Sequence, residues 1–165
     1  MEQELEGLTA GESAQLLDFV ARLSPQWLAG FFDGEGCVTF IDRVLPDGRK
    51  NILVRVSISQ KEVGILAIIS LKFPACKIDS FKQPYKGDKP GGHTAHQLYW
   101  NGSKVIPFLE YIKDHVIVKK RQVELGLELA YTMLPTRGGG NNRLEEEVWE
   151  KRKKIVEELR VLNKR

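Results

Sequence analysis

The sequence predicts an α+β fold, an antiparallel sheet with helices covering one side. Three observations predict it. Apparent elements run helix, strand, strand, helix, strand, strand, then helices. The strands come in pairs with short connections, which argues for antiparallel neighbours. One of them, residues 51–60, alternates strictly. Ile52, Val54, Val56 and Ile58 fall on one face, and Asn51, Leu53, Arg55, Ser57 and Ser59 on the other. Such a strand rests one face on a core and leaves one free for water or a ligand. With 165 residues, 42% of them hydrophobic, the chain suits one domain (1–165) with a real core.

Residues 14–23 carry Leu16, Leu17, Val20 and Leu23 at helical spacing. Ser24-Pro25 opens a second helix, the serine as N-cap and the proline in the first turn. This helix carries Trp27, Leu28, Phe31 and Phe32, and the glycines at 34 and 36 end it. Residues 37–44 form a strand, 46–49 (Pro-Asp-Gly-Arg) a turn, and 51–60 the alternating strand. A helix over 62–73 stops at Pro74. A second strand pair, 76–83 and 95–100, is joined by a basic, glycine-rich loop holding Lys86 and Lys89. Helices follow from Gly102 to about 113 and over 118–134. A linker at 135–142 leads to a charged terminal helix, 143–163, whose Val148, Ile155, Leu159 and Leu162 can dock one face.

Lysine and arginine total 25 against 22 acids, a net charge of +3. That is compatible with a nucleic-acid partner only if the cations gather on one face. Cys37 and Cys76 match no zinc spacing and are expected as reduced thiols. No apolar run approaches the roughly 20 residues that span a bilayer, and the acidic start is no secretory signal. The expectation is a soluble intracellular protein, with cytoplasm, nucleoid and organelle left open. His93, His96 and His115 lack metal-ligand spacing. Trp27, Trp100 and Trp149 read as packing residues.

One stretch stands apart. Residues 28–40, LAGFFDGEGCVTF, begin as an apolar, glycine-containing helix, set Asp33 and Glu35 between glycines, and continue as a strand. A bare DGEG is ordinarily a polar turn. Preceded by LAGFF and followed by this element order, it resembles the signature of the LAGLIDADG homing endonucleases. The resemblance covers about residues 25–134, leaving 1–24 and 135–165 as extensions.

The resemblance implies an αββαββα core with a saddle-shaped sheet on its DNA side and helices on the other. It implies that two signature helices pack together at the molecular centre, each delivering an acid to the DNA. Small residues allow that approach. One copy of the motif is present, so a homodimer acting on a near-palindromic site is implied. Trp27, Leu28, Gly30 and Phe31 would form its interface.

The implied activity is double-strand DNA cleavage by metal-dependent phosphodiester hydrolysis, in the service of intron homing. Glu35 matches the family's metal-ligand acid, where many members carry Asp, and the Gly34 carbonyl matches the backbone ligand. Mg²⁺ is the implied ion, with Mn²⁺ or Ca²⁺ able to replace it for binding. Asp33 matches an earlier acid with a structural role near the helix end. Gln60 matches a polar residue that orders water. Lys119 matches a lysine facing the phosphate, with Lys120 as the alternative register. Gly64 stands where relatives sometimes carry a basic residue, which removes one expected contributor.

DNA would be read from the exposed sheet face, since the major groove admits a two-stranded ribbon. Candidates are Thr39, Ile41, Arg43, Arg49, Asn51, Arg55 and Ser57, then Lys77, Asp79, Gln83, Gln97 and Tyr99. Two other readings use the same scaffold: a maturase binding intron RNA, and a non-catalytic DNA-binding regulator. The retained acid at Glu35 favours the nuclease over both.

Overall fold

The computed structural model describes residues 10–44, 46, 48, 50–83, 93–134 and 146–164. Helices α1 (Ala10–Arg22) and α2 (Pro25–Glu35) lead into strands β1 (Gly36–Val44) and β2 (Lys50–Gln60). Helix α3 (Val63–Lys72) leads into β3 (Lys77–Gln83) and β4 (His93–Asn101). A 3-10 turn over Gly102–Val105 precedes α4 (Ile106–Ile112), α5 (Lys120–Tyr131) and α6 (Glu146–Leu162). The four strands form one antiparallel sheet in the order β1-β2-β4-β3. This is the predicted α+β class.

The start of α2 follows from its sequence. Ser24 is extended (φ −70°, ψ 156°), its Oγ accepts the Trp27 N–H at 3.2 Å, and Pro25 occupies the first turn. Its end differs from the expectation that glycine breaks it by conformation. The helix runs through Gly34 to Glu35, and Gly36 is extended (φ −84°, ψ 160°), a geometry open to any residue. Glycine is required at 36 for space, because a Cβ there would lie 2.0 Å from Cδ2 of Phe32. The Phe32 ring covers the point where helix becomes strand.

Side chains at 38, 52, 54, 56, 58, 98 and 100 turn toward the helices and are buried. They meet Leu28, Ala29 and Phe32 of α2, Leu66 and Ile69 of α3, and the buried faces of α4 and α5 in one core. Trp100 stacks on Phe108 at 4.7 Å and donates its indole N–H to the Phe73 carbonyl at 3.1 Å. Of the tryptophans read as packing residues, Trp100 is buried, Trp149 half-buried and Trp27 exposed. Gly126 brings α5 close to the sheet. A Cβ there would meet Val38 at 2.8 Å and Leu109 at 3.1 Å.

The outer helices are tied to this core. Lys72 Nζ donates to the Val20 carbonyl at 3.2 Å and Tyr111 Oη to the Leu23 carbonyl at 2.9 Å, holding the end of α1. Helix α6 buries Ile155, Val156 and Leu159 and also Arg152, while Val148 and Leu162 stay half-buried. A charged face that hydropathy reads as solvated thus contributes one buried cation. Cys37 and Cys76 form no disulfide. Among the described residues no helix is long and apolar enough to cross a membrane.

Several bounds shift. Helix α1 begins at Ala10 rather than 14, α5 at Lys120 rather than 118, and β4 extends to Asn101. The segment from 102 divides into a 3-10 turn and a helix. The turn residue Arg49, the loop 84–92, the linker 135–142 and the first residues of the terminal helix (143–145) lie outside the described residues.

Candidate functional site

Two surfaces draw the sequence-predicted residues together: the C-terminal end of α2, and the sheet face away from the helices. At the first, Gly34 and Glu35 are exposed where the helix gives way to β1. A helix C-terminus presents carbonyl oxygens without intrahelical partners and favours cations. Here the Lys119 ammonium donates to the Asp33 carbonyl.

Asp33 anchors this end. Its Oδ2 accepts the backbone N–H of Ile117 at 2.8 Å and of Val118 at 3.1 Å, and its Oδ1 accepts that of Lys119 at 2.9 Å. The acid thereby fixes the segment opening α5, as the expected structural role required, and both of its oxygens are engaged. Sequence reading did not foresee the partners, which lie more than 80 positions away. The same bonds hold Ile117 and Val118 on the surface, 84% and 74% exposed.

Gln60 ends β2, two residues beyond the Gly36–Ile58 pair, and is half-buried. Lys119 is half-buried and its positive charge reaches Cys37. Burial pushes the Cys37 thiol above its usual pKa, and the Lys119 charge opposes that rise. Lys120, the alternative register, is exposed at the first position of α5.

Glu35 and the Gly34 carbonyl are hard oxygen donors of the kind divalent cations take. Among the described residues no group of three or more His, Cys, Asp or Glu is placed to hold a metal. Of the two carboxylates at this helix end, Asp33 is taken up by backbone N–H groups and Glu35 is exposed. That fits Mg²⁺, which takes one or two carboxylates and fills its octahedron with water and substrate phosphate.

The open face of α2 is a stripe at positions 27, 30, 31 and 34. Trp27 stacks on Phe31 at 5.1 Å, and a methyl group added at Gly30 or Gly34 would meet nothing within 4 Å beyond the helix's own backbone. Leu28 does not belong to this stripe. It is fully buried in the chain's own core, on the opposite side of the helix, so it is corrected from the predicted interface set.

On the sheet, strand register sets the odd-numbered residues on the face away from the helices. Thr39 pairs with Arg55, Ile41 with Leu53 and Arg43 with Asn51. Lys77 pairs with Tyr99 and Asp79 with Gln97. These predicted readers share one face, including those of β3, whose facing the sequence left open. Ser57 shares it but is buried between its register partners Cys37 and Tyr99, which corrects its assignment as a surface reader. Gln83 pairs with His93 at the end of β3.

Hydrogen bonds organise the face. Thr39 Oγ1 donates to the Arg55 carbonyl at 3.5 Å, and Gln97 Nε2 to Ser59 Oγ at 3.2 Å. Arg55 Nε donates to Asn101 Oδ1 at 2.9 Å, and the guanidinium lies 4.4 Å from the Tyr99 ring centroid. Tyr99 is hydrogen-bonded to Asp79, which raises the phenol pKa above its usual value. Asn101 was missed by sequence reading. Extending the alternation of β4 by one residue beyond Trp100 would have placed it beside Tyr99 and Gln97.

No protein-family model and no curated protein matches the chain. Solved structures do. The homing endonuclease I-CvuI, in complex with its target in the presence of calcium, is 17% identical, with a TM-score of 0.62, over 91% of this chain and 84% of that one. The archaeal intron-encoded homing endonuclease I-Vdi141I, complexed with DNA, is 23% identical, with a TM-score of 0.62, over 84% and 82%. The LAGLIDADG homing endonuclease I-LtrWI, bound to target DNA, is 18% identical, with a TM-score of 0.56, over 84% of this chain and 44% of its own. These likenesses span most of the chain and establish a shared fold.

Proposed function

We propose, for a chain that has the fold of the LAGLIDADG homing endonucleases, that it is a homodimeric, site-specific double-strand DNA endonuclease. The observation that carries this reading is the end of α2. There an exposed carboxylate, Glu35, stands where Asp33 has drawn in the Lys119 ammonium. The likeness to DNA-bound endonucleases supports it.

Second copies complete the site. Each chain supplies Glu35, and the stripe Trp27, Gly30, Phe31 and Gly34 has glycines where two helices would need to approach. Matching nearly all of I-CvuI but less than half of I-LtrWI is consistent with a chain that forms half of a functional unit.

Glu35 and the Gly34 carbonyl would hold Mg²⁺, which supplies an activated water and neutralises charge on the scissile phosphate when bound. Lys119 places a positive charge near that phosphate and stabilises the charge that develops as the P–O bond breaks. Asp33 acts through Lys119 by fixing its backbone. Gln60 orients water from the strand end. The sheet face lies along the major groove and positions the duplex so that each chain's Glu35 faces one strand.

The test is selection from a randomised palindromic DNA library with Mg²⁺, sequencing cut ends, with Glu35→Ala alongside. Cutting at one long motif that vanishes in the variant is the expected result. Enrichment by binding with no cutting by either protein would overturn the endonuclease reading in favour of a regulator.

A further inference from the structure

Arg55 is held on two sides before any ligand arrives. Its Nε is committed to Asn101 Oδ1 at 2.9 Å, and its guanidinium plane lies against Tyr99 at 4.4 Å. Asp79, on β3 beside the Lys77–Tyr99 pair, raises the Tyr99 phenol pKa above its usual value. The chain Asn101–Arg55–Tyr99–Asp79 thus crosses β2, β4 and β3. Among the described residues no hydrogen-bond acceptor meets the Nη1–Nη2 edge of this half-buried arginine.

We propose that Arg55 reads a guanine in the major groove of each half-site, with Asn101 and Tyr99 as its positioning residues. This rests on the DNA-cleaving reading above. The two Nη donors match the O6 and N7 acceptors of guanine. A phosphate would also take such a fork. Arg55 and Tyr99, however, sit on β2 and β4, the two inner strands of the sheet. The major groove admits such a ribbon and presents base edges to it, and a bidentate arginine on guanine is the commonest specific contact there. A guanidinium already immobilised loses less side-chain freedom on binding, so more of its hydrogen-bond energy appears as discrimination.

The register also locates the base. Arg55 stands three residues from Ile58, the partner of Gly36 at the acidic end. At about 3.3 Å per residue this is roughly 10 Å. With about 3.4 Å per base pair, the guanine lies about three base pairs outward from the catalytic end.

The experiment measures binding of the full-length protein to the duplex selected above and to every single-base variant of one half-site. The expected wild-type profile demands guanine at one position in this region by roughly ten- to hundred-fold. Arg55→Lys keeps the charge but not the fork, so that preference collapses while the other positions keep theirs. Asn101→Ala, which leaves Arg55 in place, weakens the same preference and no other. An unchanged profile in both variants, or affinity lost equally for all duplexes as at a phosphate contact, overturns the inference alone. Failure of the wild-type protein to select any DNA overturns the underlying reading, and the inference with it.

Discussion

Asp33 and Lys119 are tied twice: the Lys119 backbone N–H donates to Asp33 Oδ1 at 2.9 Å, and its ammonium donates to the Asp33 carbonyl. With Ile117 and Val118 the carboxylate takes three N–H groups. Hydrogen bonds to a charged acceptor are the strong ones. Asp33→Ala leaves those donors to water or unpaired and should cost about 2–3 kcal/mol in urea unfolding. DNA cleavage should fall as well, because Lys119 loses its anchor.

Glu35 behaves oppositely. It is exposed, and among the described residues no hydrogen bond engages its carboxylate as the backbone engages that of Asp33. Glu35→Gln should leave unfolding within about 0.5 kcal/mol of the parent. Cleavage should be abolished while binding of the selected duplex persists. Lys119→Met should lower the single-turnover rate by about 100-fold, the scale of one lost charge-stabilising donor. A large binding defect in Glu35→Gln would show that the acid serves DNA affinity instead.

The glycines of α2 and its exit separate folding from assembly. Gly36→Ala drives a methyl into the Phe32 ring and should cost about 1–3 kcal/mol or more. Gly30 has open space around it in a single chain. Gly30→Ala should stabilise the monomer by about 0.5–1 kcal/mol through helix propensity. Yet the bulkier Gly30→Leu should shift the protein toward monomer in sedimentation. A dimer untouched by Gly30→Leu would place the interface elsewhere.

Local chemistry explains what the sequence revealed. Ser24-Pro25 and the alternation of β2 are encoded within a few residues, and both appear as expected. So does the sharing of one face by Thr39, Arg55 and Tyr99, because period-two alternation transfers directly to a sheet. What escaped depends on contacts distant in sequence. Asp33 meets residues 117–119, and Arg55 meets Asn101 only because β2 pairs with β4. Leu28 reads as an interface residue because an apolar helix that is buried on one face and open on the other shows little periodicity to tell the faces apart. Arg152 escaped for a related reason, since hydropathy marks any arginine as solvated.

Cys37 reports on Lys119 without any DNA. Burial raises its pKa and the lysine charge lowers it. In a Cys76→Ser background, the alkylation rate of Cys37 should rise with pH along a curve displaced above that of a free thiol. Removing the charge with Lys119→Met should displace the curve further upward, since the thiolate loses its nearby cation. A curve unmoved by this change would mean that Lys119 points away from β1.

Arg152 joins α6 to α5 without a carboxylate. It is only 4% exposed, its Nε donates to Thr132 Oγ1 at 2.9 Å, and its Nη2 donates to the Thr132 carbonyl at 2.7 Å. Thr132 caps the C-terminal end of α5, where carbonyls lack intrahelical partners and a cation is favoured. Burial lowers the guanidinium pKa, so the charge is held at some cost. Arg152→Met removes that cost but strands the acceptors, whereas Arg152→Ala also opens space. The expected order of stability in thermal melts is parent, then Met, then Ala, with Ala lower by about 2–3 kcal/mol. Arg152→Lys should not restore the parent, because one ammonium cannot reproduce the paired donors of the guanidinium at Thr132. If Met proves more stable than the parent, charge burial outweighs the two hydrogen bonds, and α6 is docked by Ile155, Val156 and Leu159 with the Arg121–Glu158 and Lys151–Glu128 pairs.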